Sequence, residues 1–86
     1  MSSAINKEFI KKKLMQTWSK VLNSNEIVDN RDFFSLGGDS MNAISILTDI
    51  YTSFNIRISL EEFLMNRTLQ EQVEIIYLKL HDITEI

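Results

Sequence analysis

One stretch concentrates the residues able to do or undergo chemistry: Asp32-Phe33-Phe34-Ser35-Leu36-Gly37-Gly38-Asp39-Ser40-Met41. The only two glycines of the chain stand side by side in it, directly before an acid and a hydroxyl. As a catalytic nucleophile Ser40 would need a base, and the sole histidine, His81, lies far downstream near the end of the chain. Gly38-Asp39-Ser40-Met41-Asn42 lacks the second glycine of a nucleophile elbow, and 86 residues are too few for an α/β-hydrolase. The glycine pair is no phosphate-binding P-loop, since the lysine and the flanking strand are missing. Asp29, Arg31 and the residues after them do not follow the ligand pattern of a calcium loop. The chain has no cysteine, hence neither a disulfide nor the thiolates of a structural zinc site. Catalysis by this chain alone is not expected, and no catalytic or metal residues are assigned.

What the stretch offers is an accessible hydroxyl at a helix start. Residues without Cβ atoms leave the approach open to another macromolecule and permit backbone angles that other residues resist. Free amides and the helix dipole at such a start favour negative charge, so a phosphodiester on the Ser40 oxygen would be well placed. Asp39 can cap the helix, or help an incoming enzyme hold a metal ion. A plainer reading fits the same residues: Asp39 or Ser40 as an ordinary N-cap, and Gly37-Gly38 as an ordinary turn.

The elements that must position Ser40 follow from periodicity. Ile5, Phe9, Ile10, Leu14, Trp18, Val21 and Leu22 recur at helical spacing, with Asn6 as N-cap and Asn23-Ser24-Asn25 as a stop. From there to Asp39 no period holds, which predicts a long loop of the kind that tends to be functional. Ile27, Val28, Phe33, Phe34 and Leu36 are expected to pin that loop to the core. A second helix begins at or just after Ser40, its stripe formed by Ala43, Ile46, Leu47, Ile50 and Phe54. Ser59 with Glu62, and Thr68 with Glu71, have the spacing of capping boxes and mark two further helix starts. The third helix, around Leu60 to Met65, must therefore be short, and the fourth runs from Leu69 to about His81. It is expected to bury Leu69, Val73, Ile76, Tyr77 and Leu80, while Trp18 and Tyr51 are also assigned to the core. Ile56 and Ile58 are β-branched, but a lone strand would have no partner. The prediction is an all-α fold: a four-helix bundle with a short third helix and a long first loop.

Residues 1–86 have room for one small domain and no second core. A hydrophobic share of 44% is too high for a disordered chain. The net charge of −3 argues against nucleic-acid binding, and Lys11-Lys12-Lys13, the only basic run, reads as a solvated helix face. Nothing resembles a signal peptide, and no apolar run approaches the roughly 20 residues that span a bilayer. A monomeric cytoplasmic protein without membrane contact is expected. The initial methionine and the lack of linker-like flanks favour a free-standing protein over a piece of a larger one.

Leu36-Gly37-Gly38-Asp39-Ser40 resembles the attachment motif of thiolation domains, the peptidyl carrier proteins of nonribosomal peptide synthetases. The likeness takes in the aromatic lead-in Phe33-Phe34, the second-helix pattern of Met41, Ala43-Ile44, Ile46-Leu47 and Ile50, and the later segment of Ile56, Ile58, Leu60, Phe63-Leu64 and Thr68-Leu69. It covers roughly Trp18 to Tyr77. Ser59 and Arg67 depart from it, standing where that family often has prolines. The resemblance implies that a phosphopantetheinyl transferase, using magnesium, moves 4′-phosphopantetheine from coenzyme A to Ser40, with Gly37, Gly38 and Asp39 forming the attachment site. It implies that an adenylating enzyme or domain then loads an aminoacyl or other acyl group as a thioester, and that condensing or tailoring enzymes act on it. Two alternatives stand beside this: a carrier for fatty-acid, polyketide or D-alanine chemistry, and a helical adaptor with Ser40 unmodified or phosphorylated.

Met41 and Ile44 fall outside the apolar stripe of the second helix, which makes them candidate partner contacts, with Leu64 and Met65 of the third helix beside them. The exposed side of the second helix offers only Asp49 as a carboxylate, among Asn42, Ser45, Thr48 and Thr52. Fatty-acid carriers have a strongly acidic second helix, so this pattern points to apolar docking and away from that pathway.

Overall fold

The computed structural model describes residues 6–82. Four α-helices appear in order: α1 (Lys7–Leu22), α2 (Ser40–Phe54), α3 (Leu60–Met65) and α4 (Leu69–Asp82). A single 3₁₀ turn, Phe34–Leu36, interrupts the long connection between α1 and α2. The expected all-α bundle with a short third helix is the observed one.

Each helix starts where a side chain can satisfy free amides. Asn6 Oδ1 accepts from the amide of Phe9 at 2.9 Å to open α1. Ser59 and Glu62 bond reciprocally at 3.0 Å in each direction to open α3, and Thr68 and Glu71 do the same for α4. With no proline, and with glycine only at 37 and 38, the stops of α1 and α2 fall to asparagine. Asn23 (φ 54°) and Asn55 (φ 58°) take the left-handed conformation that ends a helix, each donating its amide back into the last turn.

The core joins one stripe from each helix. Ile10, Leu14 and Trp18 of α1 meet Ala43, Ile46, Ile50 and Phe54 of α2, Phe63 of α3, and Leu69, Val73 and Ile76 of α4. Two polar side chains are buried with them, and neither was expected. Gln72 accepts from the indole Nε1 of Trp18 at 3.2 Å and donates to the Asn66 carbonyl at 2.9 Å. Thr17 donates to the Asp49 carboxylate, joining α1 to α2. Satisfied in this way, they lose little by leaving water.

Several apolar residues sit farther out than their pattern suggested. Phe9 lies one position off the stripe of Ile10, Leu14 and Trp18 and is exposed. Val28 is 44% exposed and does not pin the loop. Ile27 beside it is buried, and the loop is held there by the Asp29 carbonyl accepting from Gln70 N at 3.0 Å. Tyr51 is 45% exposed, one turn beyond half-buried Leu47, with the Arg57 guanidinium 4.9 Å above its ring. Tyr77 and Leu80 are half-buried, the former between the Lys7 ammonium and the His81 ring. Ile5 lies outside the described residues.

Candidate functional site at the start of helix 2

The approach to Ser40 is built on Phe33. Its ring is fully buried and meets Trp18, Phe34 and Phe63 edge-on, with centroids 5.1–5.3 Å apart. Around this anchor the chain makes a tight turn. The Asp32 carboxylate accepts from the amides of Phe34 (3.0 Å) and Ser35 (3.1 Å), while the Phe33 carbonyl accepts from Gly38 N at 3.2 Å. Gly37 closes the 3₁₀ turn at φ 101°, a region other residues rarely enter. Gly38 is required for a different reason: a Cβ there would lie 2.3 Å from the Phe33 ring. The two glycines thus answer two separate demands, one torsional and one steric.

Asp39 is the N-cap of α2. Its carboxylate accepts from Asn42 N at 2.9 Å, and the Asn42 side chain returns the bond to Asp39 N at 3.0 Å. This box was not anticipated, because asparagine stands where glutamate or glutamine is the usual partner. Ser40 is therefore the first helical residue and is exposed. The amides of Ser40 and Met41 belong to the first turn, for which the helix supplies no carbonyl, and no acidic residue lies in that turn. The dipole of a 15-residue helix adds to the same positive end. An exposed hydroxyl, uncrowded by side chains at Gly37 and Gly38, fits the phosphodiester of a covalently attached arm.

The remaining candidate residues are all on the surface. Met41 is 73% and Met65 76% exposed, with Ile44 and Leu64 somewhat less so. Ile44 borders a shallow groove between α2 and α3, shared with Leu47, Tyr51, Ile58 and Glu62. Asp49, the one acid expected on the outer face of α2, is half-buried and receives the Thr17 hydroxyl. Glu62 on the groove wall is held below its ordinary pKa, first by the backbone amide of Ser59 and then by Lys79, with slight burial opposing both.

Comparison with known proteins accords with this geometry. Residues 12–76 match the family described as "Phosphopantetheine attachment site". The chain is 34% identical over 74 residues to a plipastatin synthase of Bacillus subtilis, covering 85% of this chain and 3% of that protein. It is 34% identical over 79 residues to N-(5-amino-5-carboxypentanoyl)-L-cysteinyl-D-valine synthase of Penicillium rubens, covering 90% of this chain and 2% of that one. The chain thus spans only a few per cent of the length of these relatives. The fold is similar to that of BlmI, a type-II acyl-carrier-protein from Streptomyces verticillus involved in bleomycin biosynthesis (TM-score 0.81, 22% identity, 86% of this chain and 89% of that one). The chain belongs to the phosphopantetheine attachment site family. It is a carrier of the thiolation-domain kind, and its cofactor is covalently attached 4′-phosphopantetheine.

Proposed function

We propose that residues 1–86 form one carrier domain that bears its arm on Ser40 and serves nonribosomal peptide-type biosynthesis, itself catalysing nothing. The observation that carries this reading is the placement of an exposed Ser40 at the first residue of α2, behind a glycine pair that crowds nothing against it. When bound, the arm supplies a terminal thiol that holds an aminoacyl or acyl group as a thioester. This chain's own residues do the rest. Ser40 provides the oxygen for the phosphodiester, and the first-turn amides of α2 favour the charge placed there. The Ser40 oxygen forms its bond to phosphorus as the pyrophosphate bond of coenzyme A breaks and adenosine 3′,5′-bisphosphate leaves, the serine proton passing to a base. Asp39 Oδ1 meanwhile holds the Asn42 amide and fixes the first turn. Tethering raises the effective concentration of the load at each partner.

The partners of this reading are a phosphopantetheinyl transferase, an adenylating enzyme or domain, and later condensing or tailoring enzymes, all in the cytoplasm. Exposed Met41, Ile44, Leu64 and Met65 form the apolar surface they would touch. Since Asp49 is turned to Thr17, the outer face of α2 presents no free carboxylate of the kind a fatty-acid pathway would read. Among the described residues no helix is long and apolar enough to cross a membrane.

Incubation of the apo chain with a broad-specificity transferase and coenzyme A, followed by intact-mass measurement, tests the assignment. A single phosphopantetheine adduct is expected, and Ser40→Ala should abolish it. An unmodified parent chain, or an adduct that survives the substitution, overturns the reading.

A further inference from the structure

One side chain ties the attachment loop to the junction between α3 and α4. Arg67 lies in the short junction between α3 and α4, two residues past exposed Met65. Its Nε stands 2.7 Å from Asp32 Oδ1 in an ion pair, and its guanidinium lies 5.5 Å from the centre of the Phe34 ring. The other oxygen of the same carboxylate accepts from Phe34 N and Ser35 N, the amides that open the 3₁₀ turn. That turn ends in Gly37, and Ser40 follows three residues on. The junction also holds the loop by its backbone: the Arg67 carbonyl accepts from Phe33 N at 2.7 Å, and Asp32 and Thr68 form an isolated antiparallel bridge.

These contacts divide the labour. The backbone bonds and the buried Phe33 ring fix where the loop crosses the bundle. The turn between Asp32 and Gly37 is closed by its own backbone bonds, and the Arg67 side chain acts on the Asp32 carboxylate that caps the start of that turn. A guanidinium suits this task because its planar fork can pair with a carboxylate while its face covers a ring. The pair is partly exposed, so its contribution to global stability is small. Its contribution to orientation need not be, because small displacements of a reacting group change rates steeply.

We propose that Arg67 is a positioning residue for pantetheinylation, setting the direction of the Ser40 hydroxyl through Asp32 and the Phe34–Leu36 turn. The inference rests on the reading of Ser40 as the acceptor.

The test is the rate of transfer from coenzyme A to the apo chain, with carrier concentration varied and product followed by intact mass. Arg67→Ala should lower kcat/KM about five- to tenfold, mainly through kcat, because the docking side chains are untouched. Arg67→Lys, which keeps the charge against Asp32, should recover much of the loss. Asp32→Asn should be coupled to it, so that the double variant is scarcely slower than the worse single one. In the absence of any enzyme, the amide resonances of Gly37, Gly38 and Ser40 should shift in Arg67→Ala while helicity is retained.

The proposal is overturned by a kcat/KM within about twofold of the parent, unmoved loop resonances, a lysine variant no better than alanine, additive effects, or a rate loss that tracks loss of helicity at the assay temperature. Modification of Ser40→Ala would instead remove the acceptor assignment, whatever Arg67→Ala does.

Discussion

At the scale of single residues, the glycine pair separates conformational from steric necessity. Gly38→Ala would place its Cβ against a Phe33 ring that Trp18, Phe34 and Phe63 already enclose, leaving the ring no direction in which to yield. The expected cost is about 1–3 kcal/mol, the range for an overpacked site. Urea denaturation measures it, and a change below about 0.5 kcal/mol would show that the loop relaxes around the methyl group. The expectation from sequence is that these glycines leave the approach to Ser40 open. The sequence could not reveal that Gly38 is dictated by Phe33, because that contact depends on how the loop folds back over a ring held by α1 and α3. The Arg67–Asp32 pair was illegible for the same reason: the two residues are distant in sequence, and their meeting follows from the backbone bridge between Asp32 and Thr68.

At the scale of elements, helix starts were the most legible feature and helix faces the least. Asn6, Ser59 with Glu62, and Thr68 with Glu71 act locally, within one turn, so spacing alone exposes them. Whether a side chain flanking the stripe is covered depends instead on which neighbour passes over it. Tyr51 and Phe9 are uncovered, while polar Thr17 and Gln72 are buried, each rescued by a partner on another helix. The off-stripe position of Met41 did translate into exposure. Met41→Asp should leave helicity and stability nearly unchanged, and should weaken loading by an adenylating enzyme at least severalfold, since a charge replaces an exposed apolar side chain beside Ser40, the proposed acceptor. Loading kinetics of the holo chain decide it; unchanged rates would place Met41 outside the interface.

At the scale of the whole molecule, short helices need ties that run between them. The six-residue α3 is held at its start by Ser59 and to α4 by the Glu62–Lys79 ion pair, 3.2 Å long. Because the folded-state pKa of Glu62 lies below its unfolded value, its contribution is present above the ordinary carboxylate range. It is lost as the pH falls through the lowered value. Glu62→Gln should therefore reduce stability near neutral pH and make stability less steeply dependent on pH on the acid side. Thermal unfolding at a series of pH values checks this; parallel curves for the two proteins would show that the carboxylate is not linked to folding. The fold class itself was legible because every level agreed, with stripes, caps and turn residues all specifying four helices.

Trp18 gives the molecule a property that none of its functional residues possesses. It is the chain's only tryptophan, fully enclosed, with its indole edge-on to the Phe33 ring on which Gly38 rests. Its light emission arises from a single site, and a shift of that ring is expected to change it. Changes in the loop that reach Phe33 are thereby written into the spectrum of the unlabelled protein, so that the surface at Ser40 can be watched from the interior.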